Sequence, residues 1–292
     1  MEKTPLVSTP SLLPPVMALV RETFGTYKRH LVSFLLLSFG MALLNSLNPL
    51  LSAHSLSLPL SISSLLLLLK TAIYFLLMIS VGCVVTIAMI RIALPSAEPI
   101  SVGNALRFGL SRFASYTWLL TLQSLVFVAA LPLFVLPAIY LALLYAFAYV
   151  ALIDDRGSGI DTMIISQGYV KGRWWAIFGR SLAFALLIGI PILILSSLTH
   201  TFFKLPELLK NGIDLLVSMF LMPLNSIFMV TLYTHMKRLG GEPLPSATGS
   251  RSFIVILAWI GVAFIMLGLM VAIFGLIIST TGTYNFDLKS PF

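Results

Sequence analysis

The chain has 292 residues, of which 59% are hydrophobic and only 10% charged. Soluble domains are about 45–50% apolar and about 25% charged, and a soluble fold of this length has too little interior for so much apolar surface. The composition therefore excludes a water-soluble domain. The net charge of +8 is explained by where the basic residues fall, so no nucleic-acid partner is expected.

The first 30 residues hold several prolines and the basic residues Lys3, Arg21, Lys28 and Arg29. A secretory signal has a short charged region before an apolar stretch of about 7–15 residues, which this segment does not match. A spanning helix needs about 20 mostly apolar residues. The first that qualifies is Leu31 to Ala53, and the second is Ser63 to Ile90. An apolar block from Ala114 to Ile153 follows, interrupted by Pro132 and Pro137. It reads as two crossings with a tight turn near Leu136-Pro137. The fifth, sixth and seventh spans are Ser181 to Leu198, Ile213 to Tyr233 and Phe253 to Thr280. The expected fold is a single all-α, polytopic bundle occupying residues 31–280.

Lysine and arginine stay on the cytoplasmic side of short loops. Seven crossings put Lys3, Arg21, Lys28, Arg29, Arg91, Arg107, Arg112, Arg156, Lys171, Arg173, Arg180, Lys237, Arg238 and Arg251 on one side. Only Lys204, Lys210 and Lys289 fall on the other. A single crossing between Ala114 and Ile153 would destroy this bias, so the charges support two helices there. The expectation is a bacterial inner membrane, with a cytoplasmic N-terminus and an extracytoplasmic tail at 281–292. The basic side would meet anionic headgroups.

Three stretches on the basic side share a glycine with a basic residue three positions on: Gly25 with Lys28, Gly109 with Arg112, and Gly168 with Lys171. Each precedes a pair of spans. Val102, Leu106, Gly109, Leu110 and Phe113 fall on one helical face opposite Asn104, Arg107 and Ser111. The pattern predicts three units, each an interfacial amphipathic helix plus two spans, followed by a seventh span. Trp118, Trp174 and Trp175 stand where interfacial aromatics are expected.

The middle of the chain resembles the bacterial YciC-like integral membrane proteins and the membrane domain attached to some glycerophosphodiester phosphodiesterases. The resemblance rests on Ala105-Leu106-Arg107, Leu136-Pro137-Ala138, Asp154-Asp155 and Ser166-Gln167-Gly168-Tyr169-Val170-Lys171-Gly172. It departs from the family pattern at Ala138, where glycine is common, and in its seventh span. It implies the membrane-bundle fold and no catalytic domain.

Few residues invite chemistry. Lys70 is the one basic residue inside a span; it is expected to snorkel outward, the alternative being a charge in a substrate path. Asn45, Asn48, Gln123 and Asn225 are span amides that either bond between helices or line a polar cavity. Asp154, Asp155 and Asp161 read as helix-start carboxylates rather than metal ligands. The lone Cys83 reads as a small buried hydrophobe, and His30, His54, His200 and His235 are too scattered for a metal. Gly261, Gly268 and Gly275 recur every seven residues and admit a close helix partner, either in the same bundle or in a second copy. No cofactor or catalytic motif is present. The expected role is that of a non-enzymatic membrane protein in envelope or lipid homeostasis, or a scaffold for partner membrane proteins, with transport of a small or hydrophobic solute as the alternative.

Overall fold

The structure is a computed structural model, and it describes residues 13–46, 62–95, 100–133, 135–154, 157, 159–199, 206–239 and 248–281. These residues fold as helices: α1 (Val16–Arg29), α2 (Leu31–Ser46), α3 (Ile62–Ala93), α4 (Val102–Ala130), a 3-10 turn (Leu131–Leu133), α5 (Val135–Leu144), α6 (Ala148–Asp154), α7 (Gly159–Val170), α8 (Trp174–Ser197), α9 (Glu207–Arg238) and α10 (Thr248–Thr281). Among the described residues there is no strand. The protein is an all-α helical bundle.

Among the described residues six helical stretches are long and apolar enough to cross a bilayer: Leu69–Ala93, Val102–Ala130, Leu136–Asp154, Trp174–Ser197, Gly212–Arg238 and Ser250–Gly275. α2 contributes a shorter apolar helix, Leu31–Leu44. The remainder of the expected first span, including Asn48, lies outside the described residues, as do Asp155, His54 and His200.

The apolar block does fold back on itself. α4 ends at Ala130, the 3-10 turn reverses the chain, and α5 packs against α4. The reversal comes a few residues before the expected Leu136-Pro137. Pro132 sits in the 3-10 turn and Pro137 in the first turn of α5, where a missing N–H costs nothing.

The three expected interfacial helices differ from one another. α1 is separate, ending at His30, where the backbone leaves helical geometry at φ −117° and ψ 26°. The amphipathic stretch at 102–113 is no separate helix: α4 runs unbroken for 29 residues, about 43 Å at 1.5 Å per residue. That exceeds the roughly 30 Å hydrocarbon core, so this stretch is the basic end of the span. No glycine or proline falls between Gly109 and Ala130 to break it. Its inner face is Ala105, Gly109, Tyr116 and Leu119, and Leu110 points outward. A Cβ on Gly109 would stand 2.7 Å from the Val84 carbonyl, so glycine here lets α3 and α4 touch. The third stretch, α7, is buried, with Thr162, Met163, Ile164, Ser166, Tyr169 and Val170 enclosed by α4, α5, α6 and α10. It stops at Gly172, whose φ of 80° suits glycine.

The basic ends expected on one side do gather. Lys237 at the end of α9 donates to Asp154 at the end of α6 at 2.7 Å, and Tyr233 donates to the same carboxylate at 3.2 Å. Arg251 at the start of α10 pairs with Asp161 at the start of α7. His235 on α9 meets Glu22 on α1 at 2.7 Å. Asp154 and Asp161 thus serve as ion-pair partners that hold helix ends together. At the opposite end, Tyr74 of α3 donates to the Leu44 carbonyl of α2 at 2.8 Å.

Candidate functional site: a cleft between two spans

α8 and α9 run side by side, yet their backbones stay apart over almost their whole length. The residues facing each other include Ser181, Ala185, Gly189 and Ser196 on α8 and Ser218 and Asn225 on α9. Small side chains of this kind let helices approach closely, and here they do not. Two adjoining cavities, of about 250 and 240 Å³, separate the helices and share Ile192 and Leu221 in their walls. One aromatic pair bridges the gap: Phe184 stacks on Phe228 with ring centroids 3.9 Å apart. Of the residues of α8 only Ile177 and Phe184 are buried, so the helix stands at the edge of the bundle.

The polar groups are unevenly placed. The half toward the basic end holds Asn225 and Ser181, and the Ser181 hydroxyl is buried without a hydrogen-bond partner. The other half holds Ser196, Thr199, Asp214 and Ser218. The Thr199 hydroxyl donates to the Ser196 carbonyl at 3.0 Å. Polar side chains are thus spread along the cleft, with Asn225 at the midpoint of its span and the densest polar group, Ser196, Thr199, Asp214 and Ser218, in the half away from the basic end.

α1 ties the cleft at the basic end. The Arg180 guanidinium of α8 donates to the Leu13 and Pro14 carbonyls at 2.9 and 3.0 Å, and Glu22 of α1 meets His235 of α9. α1 buries Leu19, Val20, Thr23 and Tyr27. Burial pushes the Tyr27 phenol above its ordinary pKa, so it stays neutral. Lys28 remains exposed at the end of α1, as does Lys171 in the turn before α8, while Arg112 is half-buried on α4.

Gln123 and Lys70 do not join this cleft. Gln123 of α4 faces a second cavity and donates to the Tyr145 carbonyl at 2.8 Å. Its role follows from a break in the fourth span, where residues 145–147 leave the helix. The buried Ser166 on α7 repairs the same break: its hydroxyl donates to the Leu144 carbonyl at 2.8 Å and accepts from the Phe147 N–H at 3.1 Å. Backbone groups freed inside a membrane must be re-satisfied by neighbours, and this need accounts for the burial of α7. Lys70 is exposed on the outer surface of α3, as snorkelling requires. Asn45 lies in the last turn of α2. Cys83 is buried and free. Gly261 fits the bundle tightly, since a Cβ there would meet the Leu125 carbonyl of α4 at 2.1 Å, whereas Gly268 and Gly275 have nothing within 4 Å.

No group of three or more metal-ligating side chains occurs among the described residues. No family model, curated protein or solved structure matches the chain. The resemblance to YciC-like proteins therefore stands on the quoted residues alone.

Sequence reasoning named Asn225 but missed the cleft. Its signal was present in Ser181, Ala185 and Gly189, spaced four apart on one face of a helix. Arg180 and Phe184, which flank the cleft at the basic end, meet partners far away in sequence, Leu13, Pro14 and Phe228.

Proposed function

We propose that this is a non-enzymatic integral membrane protein that holds a membrane lipid in the α8–α9 cleft and acts in lipid homeostasis of a bacterial envelope. One observation carries the reading: two helices with small facing residues are separated by a cleft whose one half is walled mainly by apolar side chains and whose other half gathers Ser196, Thr199, Asp214 and Ser218. An acyl chain matches the wall of Ile188, Ile192, Leu221 and Leu224, and a polar headgroup matches the half with Asp214, Ser196 and Thr199. An apolar chain entering from the bilayer also avoids the cost of wetting the seam. In this reading the basic end faces the cytoplasm, following the lysine and arginine bias, and the resemblance to the YciC-like proteins agrees with an inner-membrane location.

A second reading, transport of a hydrophobic solute, is favoured by Asn225 and the unpartnered Ser181 hydroxyl on the same cleft. Proteoliposomes separate the two. Loaded with a water-soluble dye and a panel of small hydrophobic solutes, they retain both at the rate of protein-free vesicles if the protein is a lipid holder. Solute release that Asn225→Ala or Ser181→Ala abolishes would establish the transporter in its place.

A further inference from the structure

The polar half of the α8–α9 cleft carries a charge of one sign. Its cavity of about 240 Å³ is lined by Ser196 and Thr199 at the end of α8 and by Asp214 and Ser218 of α9. Among the described residues lining either half of the cleft, Asp214 is the one charged side chain. It is exposed, so a ligand can reach its carboxylate.

Asp214 also stands at the depth of a lipid headgroup. Along α9 it precedes Asn225, the midpoint of the span, by 11 residues, about 16 Å of helix. Half the hydrocarbon core is about 15 Å. The carboxylate therefore lies at the boundary between hydrocarbon and headgroups, at the end opposite the basic one. From there the wall of Ile192 and Leu221, then Ile188 and Leu224, leads toward the midplane, which is the course of an acyl chain. Lys210, half-buried, comes one turn before Asp214 on the same helix, so a cation follows the anion outward.

From this placement, and resting on the lipid-holding reading of the cleft, we infer that it selects a phospholipid whose head carries a primary ammonium group, the phosphatidylethanolamine class. The ammonium donates N–H bonds and meets Asp214 as a charge-assisted pair, stronger at the edge of the hydrocarbon than in water. The lipid phosphate finds its counter-charge in Lys210, one turn further out. An anionic glycerol head brings no cation to Asp214 and sets a second negative charge beside it. A choline head brings a cation without an N–H, so it keeps the Coulomb attraction and loses the hydrogen bonds.

The test is native mass spectrometry of the full chain in micelles doped with equal amounts of dioleoylphosphatidylethanolamine, dioleoylphosphatidylglycerol and dioleoylphosphatidylcholine. The quantity read is the lipid that Gly189→Phe displaces, so lipid held elsewhere on the surface is subtracted. Phosphatidylethanolamine is expected to exceed phosphatidylglycerol by about tenfold, the worth of one hydrogen bond to a charged group, with phosphatidylcholine between them. Asp214→Asn removes the preference while lipid is still held, and Asp214→Lys reverses it in favour of phosphatidylglycerol; the exposed position tolerates both changes. Displaced lipid in the proportions of the micelle, phosphatidylcholine held as well as phosphatidylethanolamine, or a preference that neither Asp214 variant alters overturns the headgroup selection and leaves the lipid-holding cleft standing. No displaced lipid of any kind overturns both.

Discussion

Replacing Ser166 by alanine tests whether α7 is buried in order to repair the broken span. The Ser166 side chain is fully buried, and its hydroxyl serves two backbone groups at once, the Leu144 carbonyl and the Phe147 N–H. Its loss orphans a buried donor and a buried acceptor, each worth about 1–3 kcal/mol. Alanine's better helix propensity returns about 0.5 kcal/mol. The expected net loss is about 1.5–5.5 kcal/mol, well above the roughly 0.6 kcal/mol of an average hydrogen bond between membrane helices. Gln123→Leu should cost less, about 1 kcal/mol, because the Tyr145 carbonyl keeps a second donor in the Ala148 N–H at 3.1 Å. Ser111→Ala, an exposed hydroxyl bonded only to the Phe108 carbonyl, is the control. Reversible unfolding in mixed micelles gives the order Ser166, then Gln123, then Ser111. A Ser166→Ala loss no larger than that of Ser111→Ala would show that α7 is buried for some other cause.

The glycines of α10 should separate sharply. Gly261→Leu drives a side chain into the Leu125 carbonyl and should cost several kcal/mol, as overpacking does, while Gly268→Leu and Gly275→Leu change stability by less than about 0.5 kcal/mol; thermal unfolding in detergent distinguishes them. Lys70→Ala should leave stability and bound lipid unchanged within error, since the side chain lies exposed on α3. Asp154→Leu removes the acceptor shared by Tyr233 and Lys237, and should cost about 1–2 kcal/mol and speed proteolysis at the basic end, where Asp154→Glu costs less. A reporter fused after Phe292 should be accessible only from outside the cell; access only from the cytosol contradicts the odd number of crossings.

Much of the fold was legible because it follows from quantities summed over many residues. Runs of about 20 apolar residues placed the long helices, and the basic bias required two crossings between Ala114 and Ile153. Gly261 was legible as a close-packing position because a helix partner needs a gap in the side-chain stripe. Other features depend on single pairings between residues remote in sequence. The break at Tyr145-Ala146-Phe147 contains neither glycine nor proline, and Gln123 and Ser166 supply the side-chain hydrogen bonds to it. α7 read as an interfacial helix because a short mixed segment beside a lysine resembles one; its burial follows from the contact of Ser166 with Leu144 and Phe147. At 102–113 the buried residues are Ala105 and Gly109, with Leu110 turned outward, and nothing at Phe113-Ala114 interrupts the helix, so it continues into the span. The cleft stayed hidden because small residues ordinarily signal close packing, and the tie from Arg180 to the Leu13 and Pro14 carbonyls leaves no local trace.

Occupancy of the α8–α9 cleft by a lipid is the point on which the proposed function stands. Phospholipid retained per chain, counted by native mass spectrometry after gel filtration in lipid-free detergent, decides it when the wild type is compared with Gly189→Phe. A side-chain carbon placed on Gly189 would meet nothing within 4 Å, and the residue lines the cleft, so the ring fills the seam without disturbing the fold. One retained phospholipid in the wild type and none in a stably folded variant is the expected outcome. Equal retention in both, or none in either, rules out a lipid-holding cleft.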